Sequence, residues 1–268
     1  MRTTRVPPET VRIQGAGPTV VLVHGTGGSR SGFGTLPWHL RDRLRVASYD
    51  RRGTGAWPLP VDAEAPTVEA HASDLADVVR SLGDEPVVVF GTSFGATIAL
   101  EALRSRRHGL AGAILHEPAM PAAGLPGAGP PPVVAGEFLR LTASGREREA
   151  AERFLLRLGT AGEAGPGEGS VARRPGAPDW RAVHRDLVAV FAWRPGPEAF
   201  GAIDVPVLLL ASERSGSATR ASVDALARLL PRARTDSLVG AAHVIAGEPA
   251  WRRVAEIVLP FALACAAR

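Results

Sequence analysis

The pentapeptide Gly91-Thr92-Ser93-Phe94-Gly95 sets a serine hydroxyl between two glycines. It follows the apolar, β-branched run Val87-Val88-Val89-Phe90 and leads into an alanine- and leucine-rich stretch over 96–103 that reads as a buried helix. A strand therefore turns sharply into a helix here. In that setting the glycines let the two elements approach closely and leave the serine on a strained turn with its Oγ exposed, a nucleophile elbow. The N-terminal N–H groups and dipole of the helix favour the negative charge that develops when a serine attacks a carbonyl. Ser93 is the candidate nucleophile. An ordinary glycine turn around a surface serine is the alternative, and the flanking strand and helix weigh against it.

A serine hydroxyl at neutral pH needs a general base, and histidine has the pKa for that task. Seven histidines are available. His24 lies in the glycine loop His24-Gly25-Thr26-Gly27-Gly28 and is expected to hold that loop, which can turn backbone N–H groups toward a point just outside the sheet, as an oxyanion hole requires. His39, His71, His108 and His184 fall on predicted helices or loops with no motif around them and are expected at the solvated surface. His116 ends a strand beside Glu117 and reads as a buried, satisfied histidine. His243 lies in the loop after the final strand, on the edge where strand ends converge, and is the candidate base.

The elements that must position these groups alternate. Residues 10–14 read as an edge strand, 19–23 as a strand buried on both faces, and 46–49 as a short strand ending in Asp50-Arg51-Arg52-Gly53-Thr54-Gly55, where an arginine and acid pair is expected to lock a turn. Thr67 can cap a helix whose Leu75, Val78, Val79 and Leu82 share one face, with Gly83 as the stop. The elbow strand follows, then a strand over 112–116. After an interruption come a strand over 205–210, a helix over 220–230, a last strand over 235–238, and a closing helix over 249–263 that Pro260 should bend or end. Strands alternating with helices predict a mostly parallel sheet with helices on both faces.

The interruption is proline- and glycine-rich. Residues 121–132 hold five prolines and three glycines, and 159–178 hold six glycines and three prolines, so neither is regular structure. Three apolar stripes lie between and after them: Val134, Phe138 and Leu141; Phe154, Leu155 and Leu158; and Trp180, Val183, Leu187, Val190 and Phe191. Residues 119–200 therefore read as an inserted helical cap (lid) with proline-rich hinges and a mobile glycine-rich middle, and residues 1–118 and 201–268 as the core.

A length of 268 residues allows one large α/β domain, or a main domain with an insertion. No stretch approaches 18 apolar residues and the first 18 lack the apolar run of a signal peptide, so a soluble, cytoplasmic protein with no membrane partner is expected. With Cys265 the lone cysteine, an internal disulfide and a cysteine metal cluster are ruled out. All 31 basic residues are arginine, yet the net charge is only +4 and the arginines are scattered apart from Arg104, Arg106 and Arg107, which read as a solvated helix end. With aromatic residues at 5%, there is no stacking platform for nucleic acid.

Taken together, His24-Gly25-Thr26-Gly27, Asp50-Arg51-Arg52-Gly53-Thr54-Gly55, Gly91-Thr92-Ser93-Phe94-Gly95 and His243 resemble the α/β-hydrolase fold superfamily over roughly residues 8–118 and 201–265. The resemblance implies Ser93 as nucleophile, His243 as base, and the N–H groups of Thr26 and Phe94 as oxyanion hole. The chain departs from the family at the third member. The acid commonly follows the strand that here spans 205–210, but that segment reads Ser212-Glu213-Arg214-Ser215, with a serine where aspartate is expected. Glu213 is two residues early. Glu117, at the carboxyl end of the strand after the elbow, occupies a position that some relatives use, and chemistry in open α/β sheets gathers at such ends. Glu117 is therefore favoured, with Glu213 as the alternative. The implied reaction is hydrolysis of an ester, thioester or lactone of a small molecule through an acyl-enzyme at Ser93, with no metal or organic cofactor. A thioesterase or cyclase of natural-product biosynthesis, and a non-catalytic ligand-binding relative of the fold, are the alternatives.

Overall fold

The computed structural model describes residues 6–106, 109–120, 132–160 and 179–267. The proline-rich stretch up to residue 131, the glycine-rich residues 161–178 and His108 lie outside them.

Among the described residues seven strands make one sheet: β1 (Val11–Gln14), β2 (Thr19–Val23), β3 (Arg45–Tyr49), β4 (Val87–Thr92), β5 (Leu110–His116), β6 (Val207–Ser212) and β7 (Ala233–Leu238), in the order β1-β3-β2-β4-β5-β6-β7. β1 pairs antiparallel with β3, and every other neighbouring pair is parallel. The central strands are uniformly apolar because both faces are covered. Val21, Val23, Val89, Leu115 and Leu209 face one core, against α2 (Val68–Ser81), α3 (Phe94–Arg104) and α7 (Ser217–Leu229). Val20, Leu22, Val88, Phe90, Leu208 and Leu210 face the other, against α1 (Leu36–Leu40) and α8 (Glu248–Ala266).

Among the described residues, three α-helices, α4 (Pro132–Ala143), α5 (Glu147–Thr160) and α6 (Trp180–Ala192), intervene between β5 and β6. They bury a small core of their own, with Phe138, Leu141, Leu155, Val183, Leu187 and Phe191 at its centre. Glu137 on α4 is clamped by Arg153 and Arg157 of α5.

Local chemistry sets the boundaries. The Thr67 hydroxyl accepts from the N–H of Ala70 at 3.2 Å and starts α2. β6 begins at Val207 rather than at the expected residue 205, since Pro206 has no N–H for the ladder, although its carbonyl accepts from Ala113 at 3.0 Å. α8 runs through Pro260 to Ala266, so the proline does not end it. Residues 30–40 hold a 3-10 turn (Arg30–Phe33) and α1, neither of which has an apolar repeat long enough to register. Tertiary packing defines them: Phe33 meets Trp251 of α8 edge-on, with ring centroids 6.0 Å apart.

The topology also locates a crevice. From β2 the chain moves outward to β3, then crosses back to β4 on the other side of β2, and at such a switch point the loops leaving the two carboxyl ends diverge. The loops concerned begin at His24 and at Ser93.

Candidate active site

Ser93 sits between β4 and α3 with φ 49° and ψ −118°, a conformation L-residues avoid. Close packing imposes it. A Cβ on Gly95 would strike the carbonyl oxygens of Val23 and His24, and one on Gly91 would strike Gly95 and Ala96. Ser93 is the N-cap of α3, yet its hydroxyl makes no capping bond. It lies instead 3.2 Å from Nε2 of His243.

His243 arrives on the loop after β7. Its Nδ1 is 2.6 Å from Oε2 of Glu117, so one run of hydrogen bonds joins Ser93, His243 and Glu117. Strand register explains the meeting: Thr92 pairs with His116, which brings the residues that follow, Ser93 and Glu117, side by side at the carboxyl edge. Glu117 also has positive φ, at 46°. Its other oxygen, Oε1, accepts from the N–H of Ser212 at 2.6 Å. Burial alone would raise the Glu117 pKa, but the hydrogen bond to His243 and the adjacent imidazoles outweigh it and lower the value to about 2. An ionised carboxylate can only accept, so Nδ1 of His243 carries the proton and Nε2 is left to accept from the serine.

Glu213 is differently engaged. Its Oε2 accepts from the N–H of Gly240 at 2.7 Å, and its own N–H donates to Leu238, which tethers the loop that carries His243.

His116, fully buried behind this group, lies 2.8 Å from Ser212 Oγ through Nε2 and stacks on His243 with centroids 6.2 Å apart. Burial is the main cause that pushes its pKa down to about 4, so it is neutral at neutral pH. It is buried as its place at a strand end suggested.

The glycine loop covers the serine: a Cβ on Gly25 would lie 3.3 Å from Ser93 Cβ. Thr26 and Gly27 occupy the centre of a turn closed by Gly28 N–H to Gly25 O at 3.1 Å. Phe94 is the first residue of α3, where N–H groups have no partner within the helix. The N–H groups of Thr26 and Phe94 thus belong to the two segments that flank Ser93. His24 is buried and braces its loop, with Nδ1 3.0 Å from Gly25 O and Nε2 accepting from Arg51 N–H at 3.3 Å.

Two expectations need correction. Far from being solvated, His71 is 1% exposed and packs edge-on against Phe94, His184 is 8% exposed with its Nε2 3.1 Å from Thr142 Oγ1, and His39 tucks against Glu248. Each lies on the apolar side of its element, which a lone polar residue in the sequence does not advertise. In the Asp50-Arg51-Arg52 loop the arginines find their acids elsewhere. Arg52 pairs with Asp74 on α2, and Arg51 with Asp186 on α6, while Asp50 accepts from the N–H groups of Arg30 and Ala56 at 2.8 and 3.0 Å. Asp186 and Ser212 carry no motif in the sequence, and their contacts to Arg51 and to Glu117 emerge only from the fold.

Among the described residues no group of three or more His, Cys, Asp and Glu side chains could hold a metal ion, and no helix is long and apolar enough to cross a membrane.

Residues 20–257 match the model of the alpha/beta hydrolase family. An uncharacterized hydrolase of Bacillus subtilis, YraK, is 35% identical over 107 residues, 40% of this chain and 40% of that protein. The pimeloyl-[acyl-carrier protein] methyl ester esterase of Methylococcus capsulatus is 40% identical over 97 residues, 35% of this chain and 34% of that one. These alignments span well under two thirds of the curated relatives. Among solved structures, an alpha/beta hydrolase from Sphaerobacter thermophilus superposes with a TM-score of 0.70 at 26% identity, covering 94% of this chain and 95% of that one.

Proposed function

The chain belongs to the alpha/beta hydrolase family, and from that premise we propose that it is a serine esterase that cleaves a carboxylic ester of a small molecule, with Ser93, His243 and Glu117 as its catalytic triad. The observation that carries the reading is the unbroken contact from Ser93 Oγ through both ring nitrogens of His243 to the Glu117 carboxylate.

The reaction follows from that arrangement. His243 Nε2 takes the hydroxyl proton as Ser93 Oγ forms a bond to the ester carbonyl carbon, and the carbonyl π electrons move onto oxygen. The oxyanion is met by the N–H groups of Thr26 and Phe94, assisted by the N-terminal dipole of α3. Collapse breaks the bond to the alkoxy oxygen, which leaves as the alcohol with the proton from His243. Water, deprotonated by the same nitrogen, then attacks the acyl carbon; collapse breaks its bond to Ser93 Oγ, which takes the proton back from His243 as the acid is released. Glu117 stabilises the imidazolium formed in each half. A serine at this position gives an acyl-enzyme, whereas hydrolysis through an alkyl-enzyme ester needs a carboxylate nucleophile.

An ester is favoured over a thioester or lactone because one curated relative is named as a methyl ester esterase. We assign α4, α5 and α6 to a cap over the site, within residues 119–200, the core being residues 1–118 and 201–268. In support, Asp186 of α6 contacts the glycine loop beside Ser93.

Hydrolysis of short p-nitrophenyl esters, paired with labelling by a fluorophosphonate, tests the reading. Turnover with phosphonylation confined to Ser93 supports it, and a folded protein that neither hydrolyses nor reacts would point to a non-catalytic relative.

A further inference from the structure

One buried ion pair grips both peptide units around Thr26. The Gly25 carbonyl and the Thr26 N–H belong to a single trans peptide and point in opposite directions. Gly25 O accepts from Arg51 Nη2 at 3.0 Å and from the Gly28 N–H at 3.1 Å, and lies 3.0 Å from His24 Nδ1. His24 Nε2 already accepts from the Arg51 backbone, so Nδ1 is the protonated nitrogen and donates. The next peptide unit is held through its Gly27 N–H, which donates to Asp186 Oδ2 at 2.9 Å.

Arg51 and Asp186 in turn hold each other in a fork, Nη1 to Oδ1 at 3.0 Å and Nη2 to Oδ2 at 2.7 Å. The Arg51 Nε donates to His24 O at 3.2 Å, and the guanidinium lies 4.8 Å from the centre of the Phe94 ring. Arg51 is 0% exposed and Asp186 is 3% exposed. Such a pair adds little net stability relative to apolar side chains of similar size, but it fixes geometry tightly. Its two halves come from different parts of the fold, the arginine from the loop after β3 and the carboxylate from α6, 135 positions away.

We propose that Arg51 and Asp186 are positioning residues that aim the Thr26 N–H at the reacting carbonyl oxygen, so that docking of α6 completes the oxyanion hole. The proposal rests on the serine esterase reading above. Withdrawal of α6 would release the Gly27 N–H directly and leave the guanidinium that holds the Gly25 carbonyl without its carboxylate, so the Thr26 peptide would lose its brace on one side and the group that fixes the brace on the other. A hydrogen-bond donor that must meet charge as it develops is sensitive to a misalignment of about 1 Å.

The test measures kcat and KM on p-nitrophenyl butyrate, and inhibition by an aryl trifluoromethyl ketone whose hemiketal oxyanion occupies the same hole. Asp186→Ala is expected to lower kcat by about 10- to 100-fold with KM changed by less than about threefold, and to weaken the ketone by a factor similar to the kcat loss. Asp186→Asn, whose amide oxygen still accepts from Gly27, should recover part of the loss. Removing one partner leaves a bare buried charge, so the double variant Arg51→Met/Asp186→Leu is measured as well, and it should show the same kcat and ketone losses in a protein that still melts cooperatively. Full kcat and ketone affinity in folded Asp186→Ala or in the folded double variant, or a loss in KM alone, would overturn the proposal and leave the esterase reading intact. Absence of wild-type turnover together with an unreactive Ser93 would instead remove the reading, and this proposal with it.

Discussion

The Nδ1 of His243 lies 2.6 Å from Oε2 of Glu117, a residue 126 positions earlier in the chain. The carboxylate is held from two sides, since its other oxygen accepts from the Ser212 N–H at 2.6 Å. Ser212, the last residue of β6, therefore holds a glutamate that enters from the neighbouring strand end.

If Glu117 orients and stabilises the imidazolium, Glu117→Gln should lower kcat by about 10³- to 10⁴-fold, because an amide at that place can favour the wrong tautomer. Glu213→Gln should cost less than about tenfold, since the Glu213 side chain meets the Gly240 N–H and not the imidazole. Steady-state kinetics of the two variants decide between them, and the reverse order would move the role to Glu213.

Stability should fall on mild acidification. Burial lowers the pKa of His116 to about 4 and pushes His24 and His71 well below 6.5. Below pH 6.5 the unfolded chain takes up protons that the fold excludes, so each such imidazole removes up to about 1.4 kcal/mol per pH unit until its folded pKa is reached. Glu117 acts lower: its depressed pKa of about 2 adds stability that is complete above about pH 4.5 and is lost as the pH falls toward 2. Urea unfolding between pH 7.5 and 4.5 should show this slope, and His71→Gln should reduce it by about one proton's worth. A flat profile would contradict the buried neutral assignment.

Gly95→Ala should destabilise the fold by about 3 kcal/mol or more, because the added methyl meets backbone carbonyls of β2 and its following loop, which cannot yield as a side chain could. Gly216→Ala, with open space around the same position of the new atom, should be close to neutral. Thermal melting of the pair checks the contrast, and equal melting points would mean that the elbow is not tightly packed.

The core was legible because its signals are local. Continuous apolar runs marked β2 and β4, Thr67 marked the start of α2, and the glycines around Ser93 marked the elbow. Residues 30–40 were not legible, since Phe33, Leu36 and Leu40 acquire meaning only beneath α8. The meeting of Ser93, His243 and Glu117 was foreseeable as a set of residue types at strand ends, but the Glu117 contact depends on register between β4 and β5. Asp186 stayed hidden for the same reason. It is the single acid within α6, nothing in the sequence links it to Arg51 135 positions earlier, and only the folded chain shows it against the glycine loop.

The most direct measurement is the rate at which a fluorophosphonate labels the wild-type protein, Ser93→Ala and His243→Ala, read alongside p-nitrophenyl ester turnover. The account predicts stoichiometric labelling and turnover in the wild type, no labelling in Ser93→Ala, and a loss of turnover on the order of 10⁴-fold or more in both variants. Undiminished labelling or hydrolysis in folded His243→Ala would contradict it, because the serine would then be reactive without the imidazole placed 3.2 Å from it.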